Sequence, residues 1–210
     1  MSFFKLFVIK YFMNAIEHQL IEIPLKFETQ IYTNIFKDKN NTTLKETIES
    51  PRYKSLNNTV LQNYYQELDT SLGDFLIKLK NKNDSFYKKF LNKYGDLEYS
   101  AFYLADKDHY NLKGVYFYYL NNELKYIGRC RDNMKKRVNA GYGRISPKKC
   151  FIDGQSTNCK VNSLITKNKS SIVLKLISLD DILEIEKLES RLILECEPEW
   201  NNKKYNRDNN

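Results

Sequence analysis

Glu189 stands where a helix ought to be apolar. If residues 181–195 wind as a helix, an advance of about 100° per residue places its carboxylate among Ile185, Leu192 and Ile193. Burying an unpaired carboxylate costs several kcal/mol, so a partner is required. Two partners suit it: a divalent cation, which favours hard oxygen donors, or a neighbouring arginine. A lone carboxylate makes a metal site only when substrate phosphate and water complete the shell, as Mg²⁺ prefers.

The second chemical signal is charge. The chain carries a formal net charge of +8, and it is concentrated. Residues 125–169 hold 12 Lys/Arg against 2 Asp/Glu, so this segment alone is more basic than the whole. A localised positive field favours a polyanion, with nucleic-acid backbone the commonest; a solvated basic face is the alternative. Candidate DNA contacts are Arg131, Lys135, Lys136, Arg144, Lys148, Lys149 and Lys160, with the amides Gln155, Asn158 and Asn162. The stretch 140–170 mixes these cations with amides and hydroxyls, which suits phosphate contacts plus base-edge readout. It reads as a long irregular loop, either functional or a surface loop that touches nothing.

The elements that would position these groups are legible nearby. Apolar segments at 114–120 and 124–129 flank Asn121-Asn122-Glu123, the pattern of a β-hairpin. A helix over 132–139 follows, then a strand over 171–178 rich in β-branched residues, then the helix 181–195 with Asp180 or Asp181 as its cap. This ββαβα order predicts an α+β layer fold: a small three-stranded antiparallel sheet flanked by helices.

With Gly114-Val115-Tyr116 and Tyr126-Ile127-Gly128 in those two strands, the region resembles the GIY-YIG nuclease domain. Arg129, Asn133 and Arg137 continue the likeness, as do Glu189 within Leu188–Ile193 and the closing Pro198-Glu199-Trp200-Asn201. The likeness covers about 90 residues, Gly114 to Asn201. It implies that Tyr116 and Tyr126 line a site and orient or activate water. It further implies that Arg129 and Arg137 hold the scissile phosphate, that Glu189 binds Mg²⁺ or Mn²⁺, and that Asn201 braces the local structure. Many members carry His or Tyr one helical turn after the arginine; here that position is Gly141, and Tyr142 follows it. Tyr142 is therefore a candidate through a shifted backbone.

Physical logic agrees with those roles. Arginine's planar fork suits phosphate oxygens, and tyrosine, with an ordinary pKa near ~10, needs a neighbouring cation to favour phenolate. Taken singly, Tyr116 and Tyr126 are ordinary strand residues in a chain with 16 tyrosines. The resemblance implies a metal-dependent, site-specific DNA endonuclease of restriction type acting on double-stranded DNA, with a homodimer as one route to cutting both strands. A homing or repair nuclease, an RNA-directed nuclease or toxin, and a non-catalytic DNA-binding protein of the same fold are the alternatives.

The rest of the chain carries no motif. Residues 1–110 read as a mainly helical region for packing, dimerisation or DNA grasping, with apolar residues at helical spacing over 59–81 and a short helix capped by Asp84 or Ser85. Residues 111–205 read as the catalytic domain, with 140–170 a basic insertion. The cysteines Cys130, Cys150, Cys159 and Cys196 form no CxxC pair, which favours free thiols in a reducing compartment over a four-thiolate zinc site. Lys10 breaks the apolar N-terminal run, which is too short to span a bilayer and lacks a small-residue cleavage site. A cytoplasmic protein away from the membrane is expected, starting at Met1 or at Met13.

Overall fold

The computed structural model describes residues 19–201. The N-terminal apolar run and the choice between Met1 and Met13 lie outside the described residues. In chain order the strands are β1 (Ile21–Ile23), β2 (Leu25–Tyr32), β3 (Tyr99–Leu104), β4 (Gly114–Leu120), β5 (Glu123–Cys130) and β6 (Ile172–Ser178). The α-helices are α1 (Leu44–Glu49), α2 (Asn57–Asn63), α3 (Leu72–Asn81), α4 (Ser156–Lys167) and α5 (Ile182–Cys196). The fold is α+β. No helix among the described residues is long and apolar enough to cross a membrane.

The chain forms two compact units, and each is assembled from separated segments. The first comprises residues up to Phe27, Phe102–Gly141 and Asn168 onward; the second comprises Glu28–Ala101 and Tyr142–Lys167. The expected division at residue 110 is therefore corrected. The basic insertion is no appendage of a catalytic domain, because its apolar residues Ile145, Cys150, Phe151 and Cys159 enter the same core as Phe36, Leu72, Phe75 and Phe90. Asn92 fastens it, its Nδ2 donating to the carbonyls of Lys149 and Phe151 at 2.7 and 3.1 Å.

In the first unit the sheet order is β1-β6-β4-β5, antiparallel throughout. The three expected strands are present, with β1 added at the edge beside β6, so the sheet has four strands rather than three. The β4–β5 turn is formed by Asn121 and Asn122 at φ 50° and 63°, the left-handed pair that a tight hairpin requires. Val115, Phe117, Ile127 and Ile177 pack beneath Ile185, Leu192 and Ile193 of α5. Asp181 caps that helix, accepting from the Leu183 and Glu184 amides at 2.7 and 3.3 Å.

Three further expectations change. The helical spacing over 59–81 does not produce one helix: α2 stops at Asn63, and α3 restarts behind Ser71, whose hydroxyl accepts from the Asp74 amide. The region before 110 also contributes β1, β2 and β3, so it is mixed rather than mainly helical, and Asp84 caps a 3-10 turn over Ser85–Lys89. The stretch 140–170 is ordered, with a 3-10 turn at Pro147–Cys150 and helix α4. The expected helix over 132–139 becomes a π-helix over Lys136–Tyr142, a rare geometry often found at functional sites.

Candidate functional site

The two faces of the β4–β5 hairpin hold different groups. Strand alternation turns Val115 and its register partner Arg129 toward α5, while Tyr116, Tyr118, Tyr126 and Gly128 share the opposite face. The three tyrosine rings cluster there: Tyr116 lies 6.0 Å from Tyr118 and 6.2 Å from Tyr126, centroid to centroid. Tyr116 is fully buried and Tyr126 nearly so. Gly128 has a steric reason to be glycine, since a Cβ there would overlap the Tyr116 ring and hydroxyl.

Arg137 joins the two faces. Its guanidinium carbon stands 5.9 Å from the Tyr116 ring centroid, a cation–π position. Its Nε and Nη2 donate to the Arg129 carbonyl at 2.9 and 2.7 Å. Asn133 opens the helical segment that carries it, accepting from the Lys136 amide at 2.8 Å.

On the α5 side, the helical wheel placed Glu189 correctly: it is 8% exposed, within the apolar face. Its Oε2 accepts from Arg129 Nη1 at 2.6 Å, so one of the two partners left open by the sequence is present. Burial lifts the Glu189 pKa above the ordinary carboxylate range. Arg129, by charge and hydrogen bond, then Arg137 and Arg131, by charge, pull the other way. One helical turn earlier, Glu186 pairs with Arg131 at 2.5 Å. Two carboxylates of α5 thus hold Arg129 of β5 and Arg131 just beyond it.

Arg129 holds Glu189 Oε2, while Oε1 takes no hydrogen bond among the described residues, so one oxygen of a single carboxylate is left for a further ligand. Among the described residues no three His, Cys, Asp or Glu side chains gather into a multi-ligand centre.

Asn201 is a brace by geometry. Its Oδ1 accepts from the Ile127 amide at 2.9 Å, and its Nδ2 donates to the Ile127 carbonyl at 2.8 Å. With the Trp200 amide on the Lys125 carbonyl at 2.8 Å, this segment satisfies the outer edge of β5. Tyr116, Tyr126, Arg129, Arg137, Glu189 and Asn201 all lie within the first unit, with Tyr116 and Tyr126 on the hairpin face opposite Arg129 and Glu189 and with Arg137 touching both sides. Tyr142 is not with them: it belongs to the second unit, is 2% exposed, and its carbonyl accepts from Asn162 Nδ2 at 2.6 Å.

The candidate nucleic-acid contacts divide. Arg131, Lys135 and Lys136 are exposed in the first unit, Lys136 paired with Asp132 at 2.5 Å and Lys135 standing 5.2 Å from the Tyr110 ring centroid. Arg144, Lys148 and Gln155 are exposed in the second unit. Lys160 lies over the Tyr94 ring at 5.9 Å. Lys149 is half-buried, with Nζ donating to the Arg144 carbonyl at 2.6 Å. Asn158 and Asn162 are corrections. Asn158 is buried and donates to Gln155 at 2.5 Å. Asn162 has no exposure, with Nδ2 on the Ser100 carbonyl at 2.8 Å and Oδ1 accepting the Ser100 amide at 3.2 Å. A residue so satisfied inside a core cannot read a base edge.

Sequence reasoning passed over Glu186 and Asn139. Glu186 sits three residues before Glu189, the spacing that puts two side chains on one helix face. Asn139 accepts from the Leu104 amide at 2.9 Å, and nothing in the sequence marks it. The chain matches no known family model, no curated protein and no solved structure.

Proposed function

We propose that the chain is a metal-dependent DNA endonuclease of the GIY-YIG type, acting at defined sites in the manner of a restriction enzyme. The observation that carries the reading is a chain of contacts through the hairpin: Glu189 pairs with Arg129 on the α5 face, and Arg137 links the Arg129 carbonyl to the Tyr116 ring on the opposite face, where Tyr126 also lies. Phosphodiester hydrolysis needs a positioned water, relief of charge on the phosphoryl oxygens and a stabilised leaving oxygen. Arg129 and Arg137 supply planar donors for the charged oxygens. Tyr116 and Tyr126 would supply hydroxyls to orient water, with the Arg137 guanidinium over the Tyr116 ring. Glu189 would hold Mg²⁺ or Mn²⁺, an ion that offsets charge on the leaving oxygen.

In the free protein Arg129 neutralises Glu189. On this reading substrate phosphate draws the guanidinium away and frees the carboxylate for the ion, so the ion pair is the resting state of the site. One such site cuts one strand, and a homodimer or two successive nicks would break a duplex.

The Arg129–Glu189 ion pair also suits a second reading, a DNA-binding protein without activity in which Glu189 merely balances a buried arginine. Incubation of unmethylated phage DNA with the purified protein separates the two, with Mg²⁺ and with EDTA, alongside Glu189→Gln. Discrete fragments only with Mg²⁺, lost in Glu189→Gln while a gel shift persists, support the enzyme. Absence of cutting with a salt-sensitive gel shift supports the binding protein.

A further inference from the structure

The second unit contains a cleft of about 500 Å³ within the size range of ligand sites. Glu28, Tyr32, Asp38 and Arg144 supply its polar lining, and Ile145 and Pro147 are among its apolar walls. Asp38, Ser146 and Pro147 also line an adjoining cleft that carries Lys39 and Lys148. The two clefts adjoin at these shared residues and together form a trough, with Glu28, Tyr32 and Arg144 in the first part, Asp38 at the junction, and Lys39 and Lys148 in the second.

Asp38 and Arg144 are both exposed in the cleft. Tyr32 donates to Glu28 Oε2 at 3.1 Å. Among the described residues neither Asp38 nor the Arg144 guanidinium takes a hydrogen bond or an ion-pair partner, although both line the same cleft. Two carboxylates in a chain of net charge +8 repel phosphate but accept N–H donors. The lysines at the other end do the reverse.

A molecule satisfying both ends carries a planar ring with adjacent N–H donors and a phosphate. We infer that the trough binds a guanine nucleotide. Guanine is the base with donors N1–H and N2–H₂ for a carboxylate and acceptors O6 and N7 for a guanidinium. Tyr32, Ile145 and Pro147 offer flat or apolar surface to the ring, and Lys39 and Lys148 take the phosphate. The nucleotide comes either from solution or from a base turned out of a DNA strand. The second source rests on the nuclease reading and would make the trough a specificity site.

The test is titration of the isotope-labelled full chain, followed by ¹H–¹⁵N spectra without divalent metal, using GMP, IMP, AMP and inorganic phosphate. GMP is expected to shift the amides of Ser100, Ala101 and Ile145 with saturation below about 10 mM, a weak single-nucleotide affinity. IMP, lacking the N2 amino group, is expected to bind about tenfold more weakly. Asp38→Asn and Arg144→Gln should each weaken GMP about tenfold, with the remaining peaks unmoved to certify the fold. Equal responses to GMP, IMP and AMP, shifts of those same amides with phosphate alone, no shift at those amides, or unchanged affinity in either variant would overturn the assignment. A short single strand with one dG, compared with dGMP, distinguishes the sources: tighter binding of the strand marks DNA, and equal binding marks the free nucleotide. Because the readout needs no cutting, loss of cleavage in the phage-DNA assay and loss of GMP binding are separate results.

Discussion

The carboxamide of Asn201 pairs with both backbone groups of Ile127, at 2.9 and 2.8 Å, and so substitutes for the neighbouring strand that β5 lacks on its outer side. Ile127 itself is buried beneath α5. The side chain thereby fixes the strand that delivers Tyr126 on one face and Arg129 on the other.

Replacing Asn201 by Ala should cost about 1–3 kcal/mol, the penalty of leaving two partly buried backbone groups without partners. Asn201→Asp keeps the acceptor, loses the donor, and should recover part of that loss. Equilibrium denaturation of the three proteins measures the order; equal midpoints would remove the brace.

Gly128 and Tyr116 should behave as one unit. Gly128→Ala drives a methyl into the Tyr116 ring, with an expected loss of about 1–3 kcal/mol from overpacking. In a Tyr116→Ala background the same change should cost little. A double-mutant cycle reads the coupling, and additive losses would contradict the contact.

For Glu189 the sign of the pH effect follows from its raised pKa. A carboxyl with a folded pKa above its unfolded value favours the fold at pH below the unfolded value. That contribution is lost as pH rises through the folded value. Glu189→Gln should therefore gain stability relative to the native chain at pH 7 compared with pH 4. On the nuclease reading, the acid limb of the pH–rate profile should lie above the ordinary carboxylate range, and residual activity of Arg129→Gln should move it higher. Thermal melts and rates across that range test both statements.

Exposed and buried members of the basic stretch should separate cleanly. Lys148→Ala is expected to leave stability within about 0.5 kcal/mol and, if DNA is the partner, to reduce the slope of log affinity against log salt by about 1. Asn162→Ala should do the opposite, costing about 2–3 kcal/mol through the orphaned Ser100 and Tyr142 carbonyls with the salt slope unchanged. Denaturation and salt-dependent gel shifts distinguish them.

What the sequence disclosed was local. The β4–β5 hairpin follows from alternating apolar residues and two asparagines that tolerate left-handed backbone, and both signals lie within seventeen residues. Glu189 announced itself because a charge on an apolar stripe is a local contradiction. The division into units was not legible, since it depends on Phe151 and Cys159 meeting Phe36 and Phe75 across long sequence distances. Helix α4 was hidden by its own composition: Asn158, Asn162, Ser163 and Thr166 are polar residues that it buries. The Cys159, Val161 and Ile165 spacing was the available clue. Strand β1 spans three residues, too few for any period to show.

That short strand sets a timetable. Ile21–Ile23 hydrogen-bonds to a partner ending at Ser178, so on the ribosome the edge strand emerges long before its mate exists. Until then the Ile23 side chain, fully covered in the finished sheet, faces water or a chaperone. The first unit can close only after the second unit's entire sequence has been synthesised, which gives that second unit the earlier opportunity to fold.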